Sequence, residues 1–161
     1  MNRLPTVEAV RIAPLDPAHP HARHCLREYV AELDRRFRGG FDPAHSISAG
    51  EEELRPPAGL LLVATLQSQP IGCGALKFHD GRPTEIKRMW VAESARGLGI
   101  GRRLLAELEA HAARSSSPIV RLETNETLTQ AIALYRSAGY SEVAPFNDET
   151  YAHHWFEKRL L

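Results

Sequence analysis

Residues 85–105, EIKRMWVAESARGLGIGRRLL, pass from a β-type run through a glycine-rich turn into a helical pattern. The turn, Arg96-Gly97-Leu98-Gly99-Ile100-Gly101, sets three alternate glycines just ahead of a helix start. With side chains removed there, backbone N–H groups can converge on an anion at the helix N-terminus. Arg96 stands just before that helix, and Arg102 and Arg103 lie in its opening turns. The macrodipole favours acidic residues at this end. Cations crowded there are tolerated if a polyanion sits among them; the alternative is a turn edged by solvated arginines.

Ahead of the turn the pattern is β-rich. Residues 59–66 (GLLLVATL) and 71–78 are apolar runs joined by the turn Gln67-Ser68-Gln69-Pro70. Gly72 and Gly74 inside the second run imply close backbone approach. Asp80-Gly81 is a hairpin signal leading into a third antiparallel strand over 84–91. On alternation, Glu85, Lys87 and Met89 share one face of that strand and Ile86, Arg88 and Trp90 the other.

Further upstream, residues 7–12 read as a first strand halted by Pro14. Asp16-Pro17 then reads as a helix N-cap with its first-turn proline. Ala22, Cys25, Leu26, Tyr29, Val30, Leu33 and Phe37 recur at helical spacing, and Gly39-Gly40 ends the helix. Residues 41–57 lose the pattern, with a short helix expected at the acidic run Glu51-Glu52-Glu53. Their functional reading is a loop lining a substrate entrance; the plainer one is a surface connection.

After the turn, Gly101, Leu104, Leu105, Leu108 and Ala112 share a helical face, and residues 115–118 stop the helix. Residues 119–123 form a strand parallel to 84–91, because a helical crossover joins them. Thr127-Leu128-Thr129-Gln130 fits a capping box for a last helix. Its inner face is Leu128, Ala131, Ile132, Tyr135 and Ala138, and Gly139 closes it. Residues 140–143 and 151–160 read as the final strands. An exposed edge at 151–160 would allow a homodimer.

Composition narrows the function. The 161 residues suit one domain over 1–161. Lys+Arg and Asp+Glu are both 20, which excludes the broad basic face that nucleic acid requires. No apolar run is long enough for a signal or a membrane span, so a cytoplasmic location is expected. Cys25 and Cys73 lack metal or redox spacing and read as core thiols in a reducing compartment. His153 and His154 face opposite sides of a strand and do not make a metal pair. Glu123 and Trp155 read as packing and sheet-edge residues.

A dinucleotide fold is the obvious rival for the glycine turn. It needs G-x-G-x-x-G after the first strand of a βαβ unit, with an acid about 20 residues on. Glu123 mimics the acid, but Arg102 occupies the third glycine position, and three antiparallel strands come first.

The arrangement instead resembles the GNAT superfamily of N-acetyltransferases. Its signature, (Gln/Arg)-x-x-Gly-x-(Gly/Ala), is met at every position by Arg96 to Gly101. Residues 131–140, AIALYRSAGY, resemble the family's second segment, A-I-x-L-Y-x-x-x-G-(Phe/Tyr). The element order β-α-β-β-β-α-β-α-β-β matches over nearly the whole chain. One departure is Leu128, where many relatives carry Asn three residues before the alanine of the second segment.

The resemblance implies an α/β fold with a mixed, mainly antiparallel central sheet, splayed at strands 4 and 5 and flanked by helices. It implies acetyl-CoA as donor, with its pyrophosphate on Arg96, Gly97, Leu98, Gly99, Ile100, Gly101 and Arg102. Pantetheine would lie against main chain at Met89, Trp90 and Val91, with Asn125 or Thr127 replacing the missing asparagine. Tyr135 would protonate the leaving thiolate. Glu85 would be the base, since an alkylammonium with pKa near 10 must lose a proton before it attacks. The implied acceptor is a primary amine of a small molecule or peptide, with no metal. Protein lysine or N-terminal acetylation and a non-catalytic acyl-CoA sensor are the alternatives.

Overall fold

The computed structural model describes residues 9–115 and 117–160. Its elements are β1 (Arg11–Pro14), α1 (Pro20–Arg36), β2 (Gly59–Leu66), β3 (Gln69–Lys77), β4 (Thr84–Val91), α2 (Ile100–Arg114), β5 (Ile119–Thr124), α3 (Thr129–Ser137), β6 (Ser141–Val143) and β7 (His154–Arg159). One seven-stranded sheet runs β1-β2-β3-β4-β5-β7-β6. Every pairing is antiparallel except β4 with β5. The mixed, mainly antiparallel sheet implied by the resemblance is therefore the one observed.

Alternation assigns the two sheet faces. Leu62, Leu76, Ile86, Val120, Leu122 and Phe156 join Ile100, Leu104, Leu105 and Leu108 of α2 and Tyr135 of α3 in the main core. Leu61, Val63, Cys73, Ala75 and Trp90 meet Ala22 and Cys25 of α1 on the other face. Cys25 and Cys73 are both buried and free. Gly74 lets α2 come close: a Cβ there would stand 2.7 Å from Met89 Sδ and 2.8 Å from Leu108 Cδ1. Overpacking such a site costs about 1–3 kcal/mol. Gly74→Val should therefore lower the urea midpoint accordingly, and an unchanged midpoint would mean that α2 does not press on β3 there.

The decisive irregularity lies in β4. Cys73 pairs with Trp90 and Ala75 with Lys87, so Gly74 faces both Arg88 and Met89. Arg88 takes φ 59°, a β-bulge that Cys73 Sγ supports by donating to Arg88 O at 3.1 Å. The bulge corrects the simple alternation. Glu85 and Lys87 do share a face, but Met89 joins the α2 side, while Trp90 lies on the α1 side, opposite to Ile86. Strand β4 then leaves β5: the parallel pairing is confined to Thr84↔Val120 and Glu85↔Arg121. The sheet is splayed from there to Val91.

Several boundaries differ from the sequence reading. The first strand is Arg11–Pro14, with residues 7–8 outside the described ones; Pro14 is accommodated because β1 is an edge. His19, not Asp16, caps α1, accepting from His21 N, with Pro20 at the first turn. Asp16 is engaged elsewhere, by Ala18 N and Arg55. Leu128 is the N-cap of α3 and makes no side-chain cap bond. The expected capping hydroxyl of Thr127 donates to Asn125 Oδ1 instead, a local side-chain bond that competes with the cap. Finally, β7 is interior, between β5 and β6, which pairs with it at Trp155–Glu157, so it is not the exposed edge strand expected for a homodimer. Among the described residues no helix is long and apolar enough to cross a membrane.

Candidate active site

Two cavities open into the splay. The first, of about 320 Å³, is lined by Met89, Trp90 and Val91 of β4, by Arg96, Gly97 and Gly99 of the turn, and by Ile100, Gly101 and Arg102 of α2. Tyr29, Glu32, Leu33 and Arg36 of α1 close one side, and Leu128, Gln130, Ala131, Leu134 and Tyr135 the other. All the expected cofactor residues meet here except Leu98 and the pair offered for the missing asparagine, Asn125 and Thr127. Leu98 is outside the lining, 39% exposed. Asn125 lines the second cavity, its amide spent on Tyr151 O and Thr127.

The turn is built to present amides. Gly99 is the N-cap of α2 at φ 76°, without a side chain to satisfy the first helical N–H groups. The first α-type bond runs from Arg103 N to Gly99 O, at 3.1 Å. A Cβ at Gly97 or Gly99 would meet nothing within 4 Å, so the space before these amides is open. Arg96 does not point free into that space. It bonds Val91 O at 3.2 Å and pairs closely with Glu32, fixing the turn to both β4 and α1. Arg102 donates to Ser137 Oγ at 2.7 Å. These arginines thus have structural partners besides any anion. A Cβ at Gly101 would meet Leu134 of α3 at 3.4 Å and Val91 of β4 at 3.8 Å, so α2 lies close to both there.

The second cavity, of about 90 Å³, lies deeper along the splay. Ile86, Lys87, Arg88 and Met89 of β4 face Leu122, Glu123 and Thr124 of β5 across it. Phe41, Ser46 and Ile47 from the loop after α1 contribute, as do Glu149 and Tyr151 from the loop before β7. Glu149 ties these loops together, accepting from the Ser46 hydroxyl, from Ile47 N at 3.1 Å and from Tyr151 N at 3.3 Å. The patternless stretch after α1 thus lines a cavity. Phe37, Phe41 and Tyr151 form an aromatic wall, with centroids 4.8–5.7 Å apart. The Arg88 guanidinium rests over the Tyr29 ring.

Tyr135 lines both cavities, with Tyr29, Leu33, Met89, Leu128 and Ala131. Burial, helped by neighbouring Tyr29 and Glu123, pushes its phenol well above the ordinary range. Its proton therefore stays on through neutral pH.

Glu85 lines neither cavity. It sits on the α1 face in a chain of charges: His79 Nε2 is 2.7 Å from Oε1, and Lys87 Nζ is 3.1 Å from Oε2. Burial pushes the Glu85 carboxyl up, but the Lys87 ammonium and the hydrogen bonds from Lys87 and His79 outweigh it and hold it below its usual value. Lys87 is buried too, yet Glu123 and then Glu85 raise it above its ordinary value. Its Nζ lies 2.5 Å from Glu123 Oε1. Glu123 Oε2 is buried and finds no hydrogen-bond donor among the described residues. Leaving such a group without a donor costs on the order of 1–3 kcal/mol or more.

The sequence reading missed Glu123 as a site residue. Alternation put it opposite Leu122, but nothing in the sequence showed that the sheet opens beside it. It also missed Glu32 and Arg36, because an i,i+4 pair on an amphipathic helix carries no mark of its distant partner. His153 accepts from Glu126 N and His154 pairs with Glu142; neither lines either of these two cavities. Among the described residues no group of three or more His, Cys, Asp or Glu could hold a metal ion.

Comparison with known proteins agrees with this geometry. The model of the acetyltransferase (GNAT) family matches residues 26–140. An IAA acetyltransferase of Azospirillum brasilense is 35% identical over 145 residues, covering 89% of this chain and 90% of that one. A GNAT-family acetyltransferase of Staphylococcus aureus superposes with a TM-score of 0.74 at 16% identity, over 95% of this chain and 100% of the other. One from Elizabethkingia anophelis, solved with acetyl-CoA bound, superposes with a TM-score of 0.67 at 20% identity, over 95% and 99%. With both motifs, the splayed sheet and this match over most of its length, the chain belongs to the GNAT family of acetyltransferases.

Proposed function

We propose that the protein moves an acetyl group from acetyl-CoA directly to the primary amine of a small molecule or peptide. The observation that carries this reading is the position of Tyr135, whose ring lines both the cavity at the glycine turn and the cavity at the buried carboxylates. The amides of Ile100, Gly101 and Arg102 face open space suited to a diphosphate. The unpaired side of β4 after Glu85 offers main-chain groups to an extended amide-bearing arm. Acetyl-CoA supplies the activated acetyl thioester.

The chain's own groups handle the protons. As the N–C bond forms and the C–S bond breaks, an alkylammonium acceptor gives up two protons. One goes to a carboxylate and on to solvent. The other balances the proton that Tyr135 gives to the departing sulfur. Glu85, the base expected from sequence, keeps that role here only through Lys87 or a water, since it lines neither cavity. The small second cavity, with its two loops joined by Glu149, favours a slender acceptor.

Calorimetric titration with acetyl-CoA, with NAD as control, tests the donor. Saturable binding of acetyl-CoA and no response to NAD are expected. Thiol release in the presence of small amines then tests transfer. Absence of acetyl-CoA binding would overturn the reading.

A further inference from the structure

Lys87 lies between Glu85 and Glu123, and of these two carboxylates only Glu123 lines the second cavity. The Glu123 side chain is 6% exposed. Its Oε1 is taken by Lys87, while Oε2 has no donor among the described residues. Glu123 lines the cavity that Tyr135 also lines, and its charge is felt at the Tyr135 phenol. Buried carboxylate oxygens are ordinarily paired, so an orphaned one beside a cavity marks where a donor is missing. Phe37, Phe41, Leu33 and Leu128 face the same space with apolar surface and no hydrogen-bonding group.

We propose that Glu123 Oε2 receives the amine of the acceptor in the second cavity, and that the wall of Phe37, Phe41 and Tyr151 holds the apolar carbon chain carrying it. The acceptor class is a primary amine on a short apolar skeleton. This rests on the acetyl-transfer reading above and makes Glu123 the carboxylate within reach of the amine's proton. An ammonium there supplies the missing donor. The cavity is small, about 90 Å³, which suits a short chain.

The test measures binding of n-butylamine and of 3-amino-1-propanol, its near-isostere with a hydroxyl in place of the terminal methyl, by NMR titration in the presence of saturating CoA. The wild-type protein should bind n-butylamine at least fivefold more tightly, about one buried methylene's worth or more. Glu123→Gln should weaken n-butylamine binding at least about tenfold while leaving the acetyl-CoA Kd within about twofold. Because Glu123→Gln also removes a partner of Lys87, Glu123→Asp is the second variant. It keeps the charge but draws the oxygen back, and it too should lose amine binding with the acetyl-CoA Kd retained.

Undiminished amine binding in both variants would overturn the assignment to Glu123. Equal binding of the two amines by the wild type, or binding of neither while acetyl-CoA still binds, would overturn the acceptor class. Failure to bind acetyl-CoA at all would instead count against the donor reading on which the inference rests.

Discussion

Tyr135→Phe is expected to lower kcat by about 10²–10³-fold while leaving the acetyl-CoA Kd within about threefold. The substitution removes one oxygen from a ring buried against Tyr140 and Phe156, so the packing of α3 survives. General-acid catalysis contributes roughly 10²–10⁴-fold. The raised phenol pKa keeps the hydroxyl protonated through neutral and mildly alkaline pH, so the wild-type rate should show no loss from Tyr135 ionisation there. Stopped assays of thiol release, paired with calorimetry, separate the two effects. A rate unchanged in the Phe variant would remove Tyr135 as the acid; a parallel loss of acetyl-CoA binding would make it a packing residue of the cleft.

Gly99→Asp is the second large effect, and it acts on binding. Gly99 holds φ 76° as the N-cap of α2, and a Cβ there meets nothing within 4 Å. The cost to the fold is therefore the left-handed backbone, about 1–2 kcal/mol for an ordinary L-residue and less for Asp or Asn. The cost to the ligand is a carboxylate placed before amides that would face a diphosphate. Acetyl-CoA affinity should fall at least about 100-fold. Gly99→Asn matches its size and backbone tolerance without the charge, and should lose distinctly less. Equal losses would point to crowding rather than charge, and retained affinity in the Asp variant would show that the turn does not hold the diphosphate.

Much of this was legible before any coordinates, because local rules wrote it. Strands β2 and β3 announced themselves by apolar runs, and the observed β4, Thr84–Val91, has the boundaries read from the hairpin signal at Asp80-Gly81. The buried stripe of α2 at Leu104, Leu105, Leu108 and Ala112 followed from helical spacing alone. The glycine turn and the segment around Tyr135 were readable because each serves backbone geometry or chemistry within a few residues of itself.

The tertiary structure decided what depends on partners distant in the chain. Alternation along β4 is a local rule, and it failed at Arg88 because the bulge answers to Gly74 and Cys73 on β3. Two cysteines with no meaningful spacing came to stand together where α1 crosses β3, for that contact is set by packing. Arg96 looked like a ligand for an anion, yet the fold delivers Glu32 of α1 to it. Glu85 and Glu123 looked like a base and a packing residue. Lys87 joins them from between, and only the parting of β4 from β5 determines which of the two faces a cavity. Sequence periodicity reports which side of an element a residue occupies; what stands on that side is fixed by the assembly of the whole sheet.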